Sequence, residues 1–185
     1  LRLLLEAEAS LQPLRSSTFG TVVANCSIEH MPELDGILQE IFRVLKEGGR
    51  FIFGVPGPRF GDFLLGTAIL SRLGGPRLGE RYARWFHRIS KHLHVYSVET
   101  WKRLLEDKGL HLEQWQPYVS VGAHRIFDLC HYLSLPRWLS FKLTGRWVLF
   151  PGLFTNRFLE RWFRGYLDQG GLTDGAYLFF RCRKL

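Results

Sequence analysis

The chain has 185 residues, 46% of them hydrophobic, which is enough for a domain with a real core and excludes a disordered polypeptide. Its cysteines, Cys26, Cys130 and Cys182, are odd in number, far apart and outside C-x-x-C spacing, which argues against a disulfide framework or thiolate zinc site and for a reducing, cytoplasmic compartment. A formal charge of +8 suits nucleic acid, anionic lipid, an acidic substrate or a merely solvated basic surface, and does not choose among them.

No apolar run reaches the roughly 18–20 residues of a membrane-spanning helix, and no signal-peptide pattern opens the chain, so a soluble or peripheral protein is expected. The first residue is Leu1 and the only methionine is Met31, so the sequence is expected to be a fragment that begins downstream of a start codon. Leu1 to Glu6 is a short apolar run ending in acid. Phe19, Thr21, Val22, Val23 and Ala24 form a strand with almost no alternation, as expected where helices cover both faces. Leu34, Ile37, Leu38, Ile41, Phe42 and Leu45 then share one stripe of a helix, with Asp35, Gln39, Glu40, Arg43 and Lys46 opposite. Lys46 closes that helix, Gly48 and Gly49 turn the chain, and Phe51 to Val55 make a second strand ended by Pro56. Strand, helix and strand together are a βαβ unit of a parallel sheet.

Beyond Gly57 two helices are expected. The first is short and apolar, around Phe60 to Leu70; the second carries Leu78, Tyr82, Trp85, Phe86, Ile89 and Leu93 on one side and Arg77, Arg81, Arg84, Arg88 and Lys91 on the other. That second helix fits a membrane surface, whose headgroups meet the basic face, or a core helix with snorkelling arginines. Ser97 caps a further helix through Trp101 and Leu105 that Gly109 stops. Leu110 to Tyr118 reads as a strand, 119–171 as a long aromatic and basic insertion with a helix through Phe154, Phe158, Trp162 and Tyr166, and Ala176 to Cys182 as a last strand. His92 and His94 have a spacing that could serve a metal, but no third or fourth ligand is evident, and no metal is expected.

The pieces Phe19-Gly20-Thr21-Val22, Glu29-His30 and Arg43-Val44-Leu45-Lys46-Glu47-Gly48-Gly49 closely resemble the second half of the Rossmann-like S-adenosylmethionine-dependent methyltransferases, with Gly20 standing where that family usually has aspartate. His92 through Gly109 resembles the passage before the family's sixth strand. The resemblance implies an α/β fold: a partial Rossmann-like sheet of strands three to seven, the last antiparallel, with helical insertions at 57–93, read as a lid, and 119–171, read as substrate- or membrane-facing. The whole of 1–185 is then one truncated domain. The family's glycine-rich turn would precede Leu1, since no G-x-G-x-x-G or G-x-G-x-G occurs in the chain, and the strand at Phe19 to Asn25 is left as an unpaired edge.

The same resemblance implies a site. Glu8 and Ala9 are placed to meet the cofactor's adenine, although a solvated turn glutamate fits Glu8 as well. Asn25, Cys26 and Ser27 leave the first strand where open α/β sheets bind ligands and are expected to contact S-adenosylmethionine. Glu29 and His30 are expected to orient the cofactor or take a proton from the acceptor, with a helix-entry role for His30 as the alternative. Pro56, His92, His94 and Tyr96 are expected to line the substrate pocket. The expected function is methyl transfer to a small or lipid-like acceptor by the carboxyl-terminal part of an enzyme that is inactive as this fragment alone. The alternative is a non-catalytic module docking on a membrane or a protein. Nucleic acid is disfavoured because the arginines lie opposite the apolar faces rather than interleaved with stacking aromatics. Oligomeric state is left open.

Overall fold

The computed structural model describes residues 6–146, 164 and 171–185. In chain order its elements are β1 (Phe19–Asn25), a single 3₁₀ turn (Ile28–His30), α1 (Leu34–Val44), β2 (Leu45–Pro56), α2 (Leu65–Gly74), α3 (Pro76–Ile89), α4 (Val98–Glu106), β3 (Leu110–Tyr118), α5 (Val121–Thr144) and β4 (Tyr177–Lys184). They fall into two compact units: the described residues of Leu1–Pro58, His87–Pro117 and Tyr177–Leu185, and those of Arg59–Phe86 and Tyr118–Ala176. The apolar run expected at Leu1–Leu5 and the helix expected through Phe154 and Tyr166 lie outside the described residues.

The first unit is built on a sheet ordered β1-β2-β4-β3. β1 runs parallel to β2, and β2 antiparallel to β4, so the last strand enters beside the second in the opposite sense, as expected. The hydrophobic stripe of α1 covers one face: Leu34, Ile37, Leu38, Ile41 and Val44 are all buried. Phe53 stacks on Phe51 at 4.7 Å and on Phe180 at 4.8 Å, while the Trp101 ring meets it edge-on at 5.3 Å. Trp101 is held on α4, whose first turn is capped by Ser97 Oγ accepting the Thr100 N–H at 3.3 Å.

Two expectations need correction. β1 is not covered on both faces: Val22 and Ala24 pack on the core, but Phe19 and Val23 are 36% and 67% exposed, as befits a strand at the sheet edge. The glycine pair does not end α1 either. The helix stops at Val44, Leu45 is already extended and pairs with Phe19, and Thr21 pairs with Arg50, so Lys46–Gly49 bulges from the ladder with Gly48 at φ +70°. The end of α1 is instead closed from the far end of the chain: the buried Lys184 ammonium donates to Phe42 O at 3.1 Å and Leu45 O at 3.0 Å and sits 4.2 Å from the Phe42 ring centre. A cation there completes the carbonyls the helix leaves over. On α3, Trp85 and Ile89 and, just beyond, Leu93 are exposed.

In the second unit α2 and α3 approach closely because Gly79 lies against Thr67 and Ser71, where no Cβ would fit. Asp128 of α5 is fully buried and accepts the Gly66 N–H at 2.8 Å and the Tyr82 hydroxyl at 2.7 Å. Tyr82 also meets Tyr132, and burial with these two neighbours drives its hydroxyl far above the ordinary tyrosine range. His124, also buried, donates from Nε2 to Phe60 O at 3.0 Å. Polar groups here are paired across three helices, the condition under which they can be buried at all.

Two substitutions test this construction. Phe53→Ala should cost about 3–5 kcal/mol of unfolding free energy, since it opens a cavity between three rings. Lys184→Met keeps the apolar stem and removes the charged donor, and should cost about 1.5–3 kcal/mol. Denaturant unfolding reads both; a Lys184→Met loss within a few tenths of a kcal/mol of zero would mean that α1 is closed without it.

Candidate functional site

In a parallel pair the carboxyl ends of the strands open together, and here they are Asn25 of β1 and the buried Pro56 of β2. β4 starts at the same end, with Tyr177 opposite Pro56. The chain leaves β1 through Cys26, at φ +46°, whose N–H donates to Gly54 O at 2.9 Å. That left-handed residue turns the backbone sharply off the sheet into the 3₁₀ turn at Ile28–His30. Ile28 anchors the turn in the core at 2% exposure.

Glu29 is therefore buried by its position in the turn, at 1% exposure, and its Oε2 has no hydrogen-bond partner among the described residues. Burial raises its pKa above the ordinary 4.5; its own backbone and His30 pull the other way and do not prevail. The backbone oxygen of Glu29 accepts from Leu93 N at 2.8 Å and His94 N at 3.3 Å, which ties the histidine-rich segment after α3 to this turn.

The histidines then meet in sequence. His30 Nδ1 lies 3.1 Å from Lys91 O; since a carbonyl only accepts, Nδ1 carries the proton, and Nε2, 3.6 Å from Glu29 Oε1, is left as the nitrogen that can take one. The His30 and His92 rings are 5.3 Å apart, and His92 Nδ1 lies 3.1 Å from His87 Nδ1, so one of that pair donates and the other accepts. Burial lowers the pKa of His87 and favours its neutral form. His94 has both nitrogens engaged, with Nε2 donating to Met31 O at 2.8 Å and Nδ1 accepting from the Tyr96 hydroxyl at 3.0 Å. Tyr177 is shifted above the ordinary tyrosine range, first by burial and then by negative charge on Cys26 and Glu29.

Of the residues singled out from sequence, the structure thus brings Cys26, Glu29, His30 and His92 together at one end of the sheet, with Asn25, Ser27 and Pro56 at the strand ends themselves and His94 and Tyr96 on the flank. Glu8 and Ala9 lie in a turn seated on α1: Ala9 packs on the core, Glu8 is exposed, and the next residue, Ser10, lies against Gly36. Two members of the cluster escape a reading of the sequence. His87 is hidden at the end of an amphipathic helix, where it counts as one more polar residue. Tyr177 is hidden as the first residue of an apolar strand, and only the register that sets it opposite Pro56 reveals it. At Gly20, where aspartate is expected, a Cβ would meet nothing within 4 Å on the open edge, so packing does not demand a glycine there.

The comparison with known families decides the class. A family model described as a methyltransferase domain matches residues 6–114, more than half of the chain. The chain belongs to the methyltransferase-domain family. Over 46 residues, 25% of this chain, it is 44% identical to the sterol 4-C-methyltransferase strm-1 of Caenorhabditis elegans, and spans 14% of that relative's length. Two solved structures share the fold. The [4+2]-cyclase SpnF aligns with TM-score 0.54 at 18% identity, over 96% of this chain and 54% of its own. Phosphoethanolamine N-methyltransferase 2 of Haemonchus contortus, solved with phosphomonomethylethanolamine and S-adenosylhomocysteine, aligns with TM-score 0.54 at 14% identity, over 96% of this chain and 36% of its own. This methyltransferase domain thus spans only part of the proteins it matches. The cofactor of the family is S-adenosylmethionine.

The described residues fit that cofactor. Its sulfonium is a cation, and the end of the sheet presents a buried carboxyl with an unpartnered oxygen, which a cation nearby would relieve. The raised pKa of Glu29 gives a direct test. Because the folded state holds this proton more tightly than the unfolded one, stability is greatest below the ordinary carboxylate range and falls as pH rises above about 4.5. Glu29→Gln should accordingly melt higher than the natural chain at neutral pH, by roughly a few degrees, with the difference closing in acid. Thermal melts across pH check it; a variant that melts lower at neutral pH would mean that the carboxylate is paired.

Proposed function

We propose that this chain is the carboxyl-terminal part of an S-adenosylmethionine-dependent methyltransferase that acts on a small or lipid-like acceptor. The observation that carries the reading is the buried Glu29, with its unpartnered oxygen, beside a His30 whose tautomer is fixed, where the parallel strands end. The sterol acceptor named for the worm relative and the phosphobase held by the Haemonchus enzyme support the acceptor class.

Asn25, the Cys26 backbone and Ser27 would hold the cofactor, with Glu8 toward its adenine. When bound, S-adenosylmethionine supplies an electrophilic methyl group. Glu29 favours positive charge at the strand ends and, being shielded from water, does so more strongly than a surface carboxylate would. His30 takes a proton at Nε2 from an acceptor that must lose one, and Lys91 O stabilises the resulting imidazolium through Nδ1–H. Pro56, His92 and Tyr177, with His94 and Tyr96 behind them, shape the acceptor's side. The chain's share of the rate is mainly positioning and exclusion of water.

Calorimetric titration of S-adenosylmethionine and S-adenosylhomocysteine into this chain and into a version extended upstream tests the assignment. Binding is expected for the extended protein and not for this chain alone. In the extended protein, His30→Ala should lower kcat by about 10²–10⁴-fold for an acceptor that loses a proton, while leaving cofactor affinity nearly unchanged. Failure of both proteins to bind would overturn the cofactor reading.

A further inference from the structure

The side of α3 away from its buried contacts carries a feature that methyl transfer does not use. Phe86 and Gly79 are buried and Tyr82 is half-buried, so one side of the helix is fixed as internal. At 100° per residue Arg77, Arg81, Arg84 and Arg88 fall within about 60° of the opposite side, and all are exposed. Among the described residues this ridge is nearly unneutralised: its one acidic neighbour on the helix, Glu80, reaches only Arg84, at 3.7 Å with both side chains about two-thirds exposed. Along one flank lie Trp85 and Ile89, 43% and 44% exposed. On α5, Phe127, in contact with Phe86, and Tyr132, in contact with Tyr82, are 44% and 40% exposed.

We propose that this face of α3 binds the surface of anionic phospholipid, with the arginines on the phosphates and Trp85 and Ile89 in the headgroup–acyl boundary. Charge chooses the partner: four guanidiniums on one ridge need a dense array of anions, and Arg suits phosphate through its fork of donors. The apolar flank then separates lipid from nucleic acid. A phosphodiester backbone would satisfy the ridge and leave Trp85 and Ile89 against water, whereas a bilayer interface accepts an amphipathic ring and a cation side by side. The helix lies on the membrane and does not enter it; no described helix is long and apolar enough to cross one. The proposal does not depend on methyl transfer, since the binding it describes needs neither cofactor nor acceptor.

Co-sedimentation of the full chain with phosphatidylcholine vesicles, with and without phosphatidylserine, tests it. Binding is expected to the phosphatidylserine vesicles alone and to weaken steeply with salt. A basic residue near an anionic surface is worth about fivefold in affinity, so Arg81→Glu with Arg84→Glu should weaken binding by at least about 25-fold. Trp85→Ala should weaken it by about tenfold with the salt dependence unchanged. Equal retention by both vesicle types, no retention by either, a double variant that binds like the natural chain, or a single-stranded oligonucleotide that displaces the vesicles would each overturn it. If the double variant fails to fold, as circular dichroism would show, the phosphatidylserine preference of the natural chain and the Trp85→Ala result still decide the matter.

Discussion

The described fold depends on the position of β2. Its segment Phe51–Pro56 is almost wholly buried, with β1 parallel on one side and β4 antiparallel on the other. A strand so placed must satisfy both rows of its backbone groups from neighbours, and this obligation fixes which residues of β1 and β4 face it. The rings of Phe53, Phe180 and Trp101 hold the same register through side chains. Because β1 is parallel and β4 antiparallel to β2, the carboxyl ends of two strands and the amino end of a third meet at one edge, and that edge carries Asn25, Pro56 and Tyr177.

Everything proposed for the site follows from what is forced into that edge. The sharp turn at Cys26 and the anchoring of Ile28 set the turn in which Glu29 is buried, so a carboxyl lies where one of its oxygens has no partner among the described residues. Such a group costs stability, and proteins retain such costs chiefly where function uses them. The histidines are arranged around it by main-chain bonds from residues 93 and 94 to Glu29 O and by Lys91 O, which sets the His30 tautomer. A backbone frame of this sort controls which nitrogen can take a proton more firmly than side-chain packing would.

The parts of the fold legible in the sequence are those where one local rule operates. The α1 stripe, the Ser97 cap, the strand at Leu110–Tyr118 and the antiparallel last strand all follow from periodicity, capping or the family wording. The failures share a cause, which is long-range context. Lys184 closes α1 from the opposite end of the chain, and no window of sequence joins it to Phe42. β1 has the composition of a doubly covered strand, yet its exposure is set by the neighbour it has on only one side. In the site, the Asn25–His30 loop is readable because it is contiguous and worded like its family. His87 and Tyr177 are not, because only the turn after α3 and the β2–β4 register bring them there.

The central claim is that the chain's ligand-binding end is the edge where β1 and β2 finish. Amide hydrogen exchange on the upstream-extended protein, with and without S-adenosylhomocysteine, tests it most directly. Slowed exchange is expected at residues 25–31 and at Tyr177, with the Lys184 end of the same sheet unchanged. Protection confined to the Lys184 end, or none at residues 25–31 under conditions where calorimetry shows the ligand bound, would contradict it.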